Sequence, residues 1–210
     1  MRDVIMKLCD LLDRLSLDYA LIGGIAAILY GVQRTTLDID VLVHLEKPEE
    51  VLALVSTLRN NGFEVVLEEA LQALKEKSHF TALYEKTVVD FKFAKSSLDF
   101  STLGRRRMIL IGSVKVYISP LEELITAKLK ILGSLKDIED SLQLMYMFHD
   151  KIDWSYLAEL TGKDPFIYLN ELLDVILNEF KDEKRVLEKI HELRHLKAKI
   201  RDIINPKHQL

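Results

Sequence analysis

The spacing of apolar residues divides the chain near residue 119. Before this point, short runs with a strand period of two alternate with helical runs, whereas the spacing afterwards is only helical. The first part predicts helices at 3–15, 24–31, 47–60 and 68–76 and strands at 18–22, 37–43, 63–67, 79–84, 87–94, 107–111 and 114–118. The second part predicts helices near 120–132, 135–149, 153–161, 165–180 and 183–203.

These patterns predict an α+β protein. Several late strands follow one another too closely for helical crossovers, so the sheet must be mixed and partly antiparallel. We therefore expect an α/β core at residues 1–118, in which helices flank the sheet, and a helical C-terminal region at residues 119–210.

Two aspartates interrupt the apolar pattern of the strand at 37–43. The alternation places Asp38 and Asp40 on one face of this strand. The apolar neighbours Leu37, Ile39 and Val41 are expected to point into a core. Two carboxylates about 4 Å apart, at an effective dielectric constant of about 20, repel each other by roughly 4 kcal/mol. A divalent cation such as Mg²⁺ would remove this repulsion, and the alternative is a solvated outer face.

A glycine pair, Gly23-Gly24, separates the strand at 18–22 from the helix at 24–31. Glycines without Cβ atoms let backbone N–H groups approach an anion closely, and a helix start adds partial positive charge. The arrangement favours a phosphate-binding turn, and the alternative is an ordinary tight turn.

Residues 21–43 together resemble the signature of the nucleotidyltransferase superfamily, which has the DNA polymerase β-like fold. That signature is an apolar residue, Gly, then Gly or Ser, a gap, and two acidic residues that alternate with apolar ones. The Gly-Gly form resembles the branch of AbiEii toxin-like and other small prokaryotic nucleotidyltransferases. The resemblance implies that Asp38 and Asp40 are catalytic and bind metal. It also implies nucleotide or phosphate contacts for Gly23, Gly24, Arg34 and Thr36.

Members of this superfamily usually carry a third carboxylate on a later strand. In the strand at 87–94, Val89, Phe91 and Phe93 alternate with Asp90, which lies on the opposite face. The resemblance implies that Asp90 is a catalytic residue and a third metal ligand or general base. Three such carboxylates would hold two Mg²⁺ ions, with an NTP as the substrate. The alternative for Asp90 is an exposed strand residue.

A lysine interrupts the apolar stripe of the helix at 120–132. Lys128 shares its face with leucines and therefore needs an anion, unless it extends along the helix edge to solvent. Lys128 resembles the lysine with which AbiEii-like proteins contact nucleotide phosphates. Lys136, Asp137 and Asp140 resemble a K-D-x-x-D segment near their active site. Asp137 is expected to pair with Lys128 or Lys136 when no substrate is bound.

Composition fits a compact enzyme of the cytoplasm. The 210 residues are 49% hydrophobic and 30% charged, which lies in the globular range. The single cysteine, Cys9, excludes an internal disulfide and is expected to be buried in a reducing compartment. We find neither a signal-like apolar stretch nor a membrane-spanning run, so no membrane partner is expected.

Charge gives little indication of the acceptor. The net charge of −4 provides no global attraction for a nucleic acid. Arg105, Arg106 and Arg107 form a candidate phosphate-binding patch or, equally, a solvated strand edge. The basic stretch at 191–201 is interpreted as a packing helix with a charged outer face.

The residues and the resemblance together predict a Mg²⁺-dependent nucleotidyltransferase that transfers an NMP from an NTP to an acceptor. Toxin-like relatives favour RNA or tRNA as the acceptor, with an antitoxin-type partner protein. The alternatives are a protein side chain, an antibiotic-type small molecule, and a non-catalytic nucleotide-binding or interaction module of the same fold.

Overall fold

The computed structural model of the chain describes residues 1–204 and confirms the α+β class. One compact unit, Met1–Pro120, contains the sheet, and a second unit, which begins at Leu121, is helical. Residues 205–210 of the predicted helical region lie outside the described residues.

The first unit contains α1 (Arg2–Arg14), β1 (Asp18–Leu21), α2 (Gly23–Leu29), β2 (Asp38–His44), α3 (Pro48–Asn60), β3 (Glu64–Val65), α4 (Leu67–Glu76), β4 (His79–Tyr84), β5 (Thr87–Phe93), α5 (Ser97–Gly104), β6 (Arg107–Ile111) and β7 (Val114–Ile118). The second contains α6 (Leu121–Ala127), a π-helical turn (Lys128–Leu132), α7 (Leu135–Met147), α8 (Trp154–Thr161), α9 (Pro165–Glu179) and α10 (Lys184–Ile204).

The seven strands form one mixed sheet in the order β3-β4-β5-β2-β1-β7-β6. The neighbours β2 and β5 are parallel, as are β1 and β7, and the other four pairs are antiparallel. The predicted partly antiparallel arrangement is therefore confirmed. The order places β2 and β5, the strands that carry the three predicted carboxylates, side by side near the centre.

One face of the sheet packs on the main hydrophobic core. Alternate residues of β2 and β5, including Ile39, Val41 and Phe91, are fully buried on this face. They join a cluster with α1, α3 and α4, to which Leu8 and Leu54 belong. Burying each such side chain contributes roughly 1.5–3 kcal/mol, so the period of two fixes which face of β2 is left for polar chemistry.

The opposite face is partly covered by α5, a helix that the periodicity did not predict. The helix packs on a small cluster that includes Leu42 of β2. Its N-terminus is a capping box, in which the Ser96 hydroxyl accepts from the Asp99 N–H while Asp99 accepts from the Ser96 N–H. Lys92 of β5 donates to Asp99 at 2.7 Å and ties α5 to the sheet.

One local prediction was wrong. Leu37 does not enter the core: it is 85% exposed, because β2 begins only at Asp38. The helix predicted at 120–132 is present, although it changes from α-helix to a π-helical turn at Lys128. It does end as predicted at Gly133, which adopts a φ of 64°.

In the second unit, the basic stretch at 191–201 lies within α10. Leu193 and Ile200 are buried, whereas His195 and Lys199 are exposed, which confirms the predicted packing helix. Within residues 1–204, none of the helices has the length and apolar character needed to cross a bilayer.

Candidate active site

Three carboxylates converge on the polar face of the sheet. The parallel register of β2 and β5 places Asp40 directly opposite Asp90. Asp38 lies two residues before Asp40, on the same face of β2. One oxygen of each of the three carboxylates lies within 4.8 Å of the others. All three side chains are half-buried. The spacing of these oxygens would allow all three carboxylates to bind one metal ion.

Gly23 allows Asp40 to lie this close to the turn after β1. Its φ of +62° is a left-handed conformation, and a Cβ atom built there would lie 2.3 Å from Asp40 Oδ2. The neighbouring Ile22 N–H donates to the Asp40 carbonyl at 3.0 Å. The first glycine of the pair is therefore required both by the backbone angle and by the carboxylate beside it.

Gly24 lies beside two other predicted site residues, Arg34 and Thr36. A Cβ atom on Gly24 would lie 3.0 Å from Arg34 Nη2 and 3.0 Å from Thr36 Oγ1. The Thr36 hydroxyl donates to Asp38 Oδ1. The structure thus brings Gly23, Gly24, Arg34 and Thr36 together with the aspartates, and it adds a contact from Thr36 to a carboxylate. Their nucleotide-binding roles stay predictions.

Sequence reasoning missed Thr81, which contacts the cluster. This residue of β4 lies opposite Asp90 in the antiparallel pair of β4 and β5, and its hydroxyl donates to Asp90 Oδ1 at 2.6 Å. The two strands join in a hairpin that pairs Tyr84 with Thr87. A two-residue hairpin read from the sequence would have set this register and predicted the contact.

Lys128 belongs to the second unit and is almost fully buried, with 1% exposure. Its Nζ lies 2.6 Å from Asp140 Oδ2 and 3.4 Å from Asp137 Oδ1. The expected pairing with Asp137 is thus present, and Asp140 is the nearer partner. Lys136 is exposed. Burial of a charge needs such partners, and the proposed contact of Lys128 with phosphate stays a prediction.

The arginine run does not present three equivalent guanidinium groups. Arg106 pairs with Asp18 at 2.7 Å, donates to the Leu103 carbonyl and lies over the Tyr117 ring. Its contacts are therefore internal to the first unit, whereas Arg107 is exposed on β6.

The predicted burial of Cys9 is confirmed. Its side chain is 0% exposed, and desolvation by burial raises the pKa of the thiol to about 12. A neutral, inaccessible thiol has no place in the chemistry of the cluster.

The fold and the sequence define the class of protein. The mixed sheet and its flanking helices are those of polymerase β-like nucleotidyltransferases. Residues 2–186 match the family described as "Nucleotidyltransferase of unknown function (DUF6036)", and the chain belongs to this family. The predicted superfamily and enzyme class are therefore confirmed.

Solved structures resemble the chain in fold at low sequence identity. An H. pylori protein proposed to be a nucleotidyltransferase superimposes with a TM-score of 0.54 at 15% identity, covering 100% of this chain and 97% of the other. An antigenic nucleotidyltransferase-like protein from Paracoccidioides brasiliensis gives 0.51 at 18% identity, covering 90% and 92%. A comparison with curated proteins finds no match.

Proposed function

We propose that this chain catalyses Mg²⁺-dependent transfer of an NMP group from an NTP to an acceptor hydroxyl or phosphate. The observation that carries the proposal is the convergence of Asp38, Asp40 and Asp90, with oxygens of all three within 4.8 Å of one another. In the absence of a cation, the negative charges of these carboxylates repel one another. The three side chains lie half-buried on the polar face of the sheet.

The donor set fits Mg²⁺. Carboxylate oxygens are hard ligands, and Mg²⁺ is usually bound through a small number of carboxylates together with substrate phosphates and water. Asp38, Asp40 and Asp90 would hold the metal. The chemistry that Mg²⁺ supplies when bound is neutralisation of phosphate charge and a lower pKa for the acceptor hydroxyl.

In the proposed reaction the acceptor oxygen forms a bond to the α-phosphorus of the NTP. The bond from that phosphorus to the oxygen bridging to the β-phosphate breaks, and pyrophosphate leaves with the electron pair. The proton of a hydroxyl acceptor passes to a base, for which Asp90 is the candidate. The chain's own contribution is positioning and charge compensation, which dominate phosphoryl-transfer catalysis.

The nucleotide would lie against the turn that holds Gly23 and Gly24. Because neither glycine has a Cβ atom, Asp40 lies close to Gly23, and Arg34 and Thr36 lie close to Gly24. We assign phosphate or ribose contacts to Arg34 and Thr36. Lys128 is the further candidate for phosphate contact, with Lys136, Asp137 and Asp140 supporting it.

The acceptor follows from analogy with the AbiEii-like branch. On that analogy the acceptor is RNA or tRNA, the chain acts in the cytoplasm, and an antitoxin-type protein restrains it. An antibiotic-type small molecule is the competing acceptor, and a non-catalytic nucleotide-binding module is the competing function.

A labelled-transfer assay tests this proposal. The full chain is incubated with Mg²⁺, each α-³²P-labelled NTP in turn, and one acceptor class at a time: total tRNA, a protein extract, or aminoglycosides. We expect label in one class only, abolished by Asp38→Asn and by Asp40→Asn.

Glu64→Gln is the matched control, because it removes an exposed carboxylate on the edge strand β3. Full activity is expected for this variant. Label transfer that persists in both aspartate variants would contradict the assigned roles. Nucleotide binding without transfer to any acceptor would favour the non-catalytic module.

A further inference from the structure

Each of the three clustered carboxylates lies beside a different neighbour, and two of them accept a hydrogen bond from a threonine hydroxyl. Asp40 fits against Gly23, where a side chain would collide with it. Asp38 accepts from the Thr36 hydroxyl. Asp90 accepts from Thr81, which lies on β4, a strand that carries none of the three carboxylates.

The contact from Thr81 is specific in geometry. The antiparallel register pairs Thr81 with Asp90, so the two Cβ atoms lie directly across from each other on the same face. The hydroxyl is 2.6 Å from Asp90 Oδ1, a short distance typical of hydrogen bonds to charged acceptors. Thr81 is exposed, so water would satisfy its hydroxyl equally well, and packing does not require the contact.

A hydroxyl bound to one carboxylate oxygen fixes the orientation of the other. Partners of this kind around metal ligands orient them and set the affinity for the metal. They also affect selectivity, because Mg²⁺ demands compact, near-octahedral coordination whereas Ca²⁺ tolerates longer and more flexible arrangements.

We infer that Thr81 is a positioning residue of the metal site: by holding the Asp90 carboxylate in one orientation it keeps the cluster compact and favours Mg²⁺ over Ca²⁺. This inference rests on the proposed metal-dependent function. It concerns Thr81 and not the identity of the acceptor, so it can fail while the proposed function holds.

Metal titrations without nucleotide test the inference. MgCl₂ and CaCl₂ are titrated separately into the full chain, and the dissociation constants are obtained by calorimetry or by the shift in melting temperature. The variants are Thr81→Val, which keeps the shape and strand preference but removes the hydroxyl, and Thr81→Ser, which restores the hydroxyl. Thr87→Val, at the first residue of β5, is the matched control.

Thr81→Val is expected to weaken Mg²⁺ binding by about tenfold, the lower end of such effects, and Ca²⁺ binding by less. Thr81→Ser and Thr87→Val should retain the wild-type preference for Mg²⁺. Melting in EDTA checks that every variant is folded.

The outcomes separate the two claims. Wild-type affinity and selectivity in Thr81→Val would overturn the inference alone, as would an equal loss for both ions or an equal loss in Thr81→Ser. If the wild-type chain binds neither ion in the absence of nucleotide, the inference about Thr81 falls, whereas the proposed function is decided by the labelled-transfer assay with Mg²⁺ and NTP.

Discussion

At the scale of single residues, the site depends on one glycine more than on its neighbours. Gly23 combines a positive φ with the close approach of the Asp40 carboxylate. Gly23→Ala therefore has to accommodate a strained backbone and move Asp40, at a cost of roughly 1–3 kcal/mol. We expect a lower free energy of unfolding in urea and, because Asp40 moves, weaker Mg²⁺ binding.

Gly104→Ala is the control for this substitution. Gly104 ends α5 without a positive φ, and a Cβ atom there would have no neighbour within 4 Å. The Gly104→Ala substitution should leave metal binding unchanged and should leave the free energy of unfolding unchanged or slightly higher. Equal effects of the two substitutions would contradict the role given to Gly23.

The carboxylate cluster should also limit the stability of the metal-free protein. Asp90→Asn removes one of three charges whose oxygens lie within 4.8 Å, while its amide oxygen can still accept from Thr81. We expect this variant to melt about 2–4 °C higher than the wild type in EDTA, which corresponds to about 1 kcal/mol for a chain of this size.

Adding Mg²⁺ should reverse that order. The wild type gains stability from a ligand that binds only the folded state, whereas Asp90→Asn gains little. Differential scanning fluorimetry with EDTA and with MgCl₂ measures both effects. A variant that melts below the wild type in EDTA would show that the cluster is not electrostatically strained.

At the scale of elements, α5 is held by one buried carboxylate. Burial of Asp99 raises its pKa, but the hydrogen bonds from Lys92 and Ser96 outweigh burial and hold the pKa below its usual 3.8. A lowered folded-state pKa means that this stabilisation is complete above the usual, unfolded-state value and is lost as the pH falls through the folded-state value.

Asp99→Asn should therefore lower the free energy of unfolding at pH 7 by about 1–3 kcal/mol, since it removes charged hydrogen bonds at a helix cap. The difference between wild type and variant should shrink as the pH falls below about 4. Urea unfolding across this pH range measures it, with the exposed Asp150→Asn as control. A difference that does not depend on pH would contradict the account.

Strands with regular alternation could be predicted from the sequence. The strands at 79–84, 107–111 and 114–118 have their predicted bounds, because alternation and short turns fix them. In contrast, α5 was missed: it has only about two helical turns, and its Phe100 is exposed, so its apolar stripe is incomplete. The capping signal from Ser96 to Asp99 was the available clue.

The site was predictable where its residues lie on one strand or beside it. Asp38 and Asp40 form a local motif, and the face of Asp90 follows from alternation. Thr81 contacts the cluster only through strand pairing, which a reading of one strand at a time does not give. The nearer partner of Lys128, Asp140, likewise could not be predicted from the sequence alone, because it depends on how α7 packs beside Lys128.

At the scale of the whole molecule, family membership and fold account for the class of reaction. The family match extends over residues 2–186 and so includes the carboxylate cluster and Lys128. The low identities of the solved structures, 15% and 18%, mean that they define the fold only. The acceptor must therefore be identified by experiment on this chain.

The central claim is that Asp38, Asp40 and Asp90 bind the metal of a nucleotidyltransferase. The most direct measurement is calorimetric titration of an NTP into the full chain with Mg²⁺ and with EDTA, repeated for Asp40→Asn and for the control Glu64→Gln. We predict binding that requires Mg²⁺, is lost in Asp40→Asn and is retained in Glu64→Gln. Nucleotide binding of equal strength in EDTA, or in Asp40→Asn, would contradict the claim.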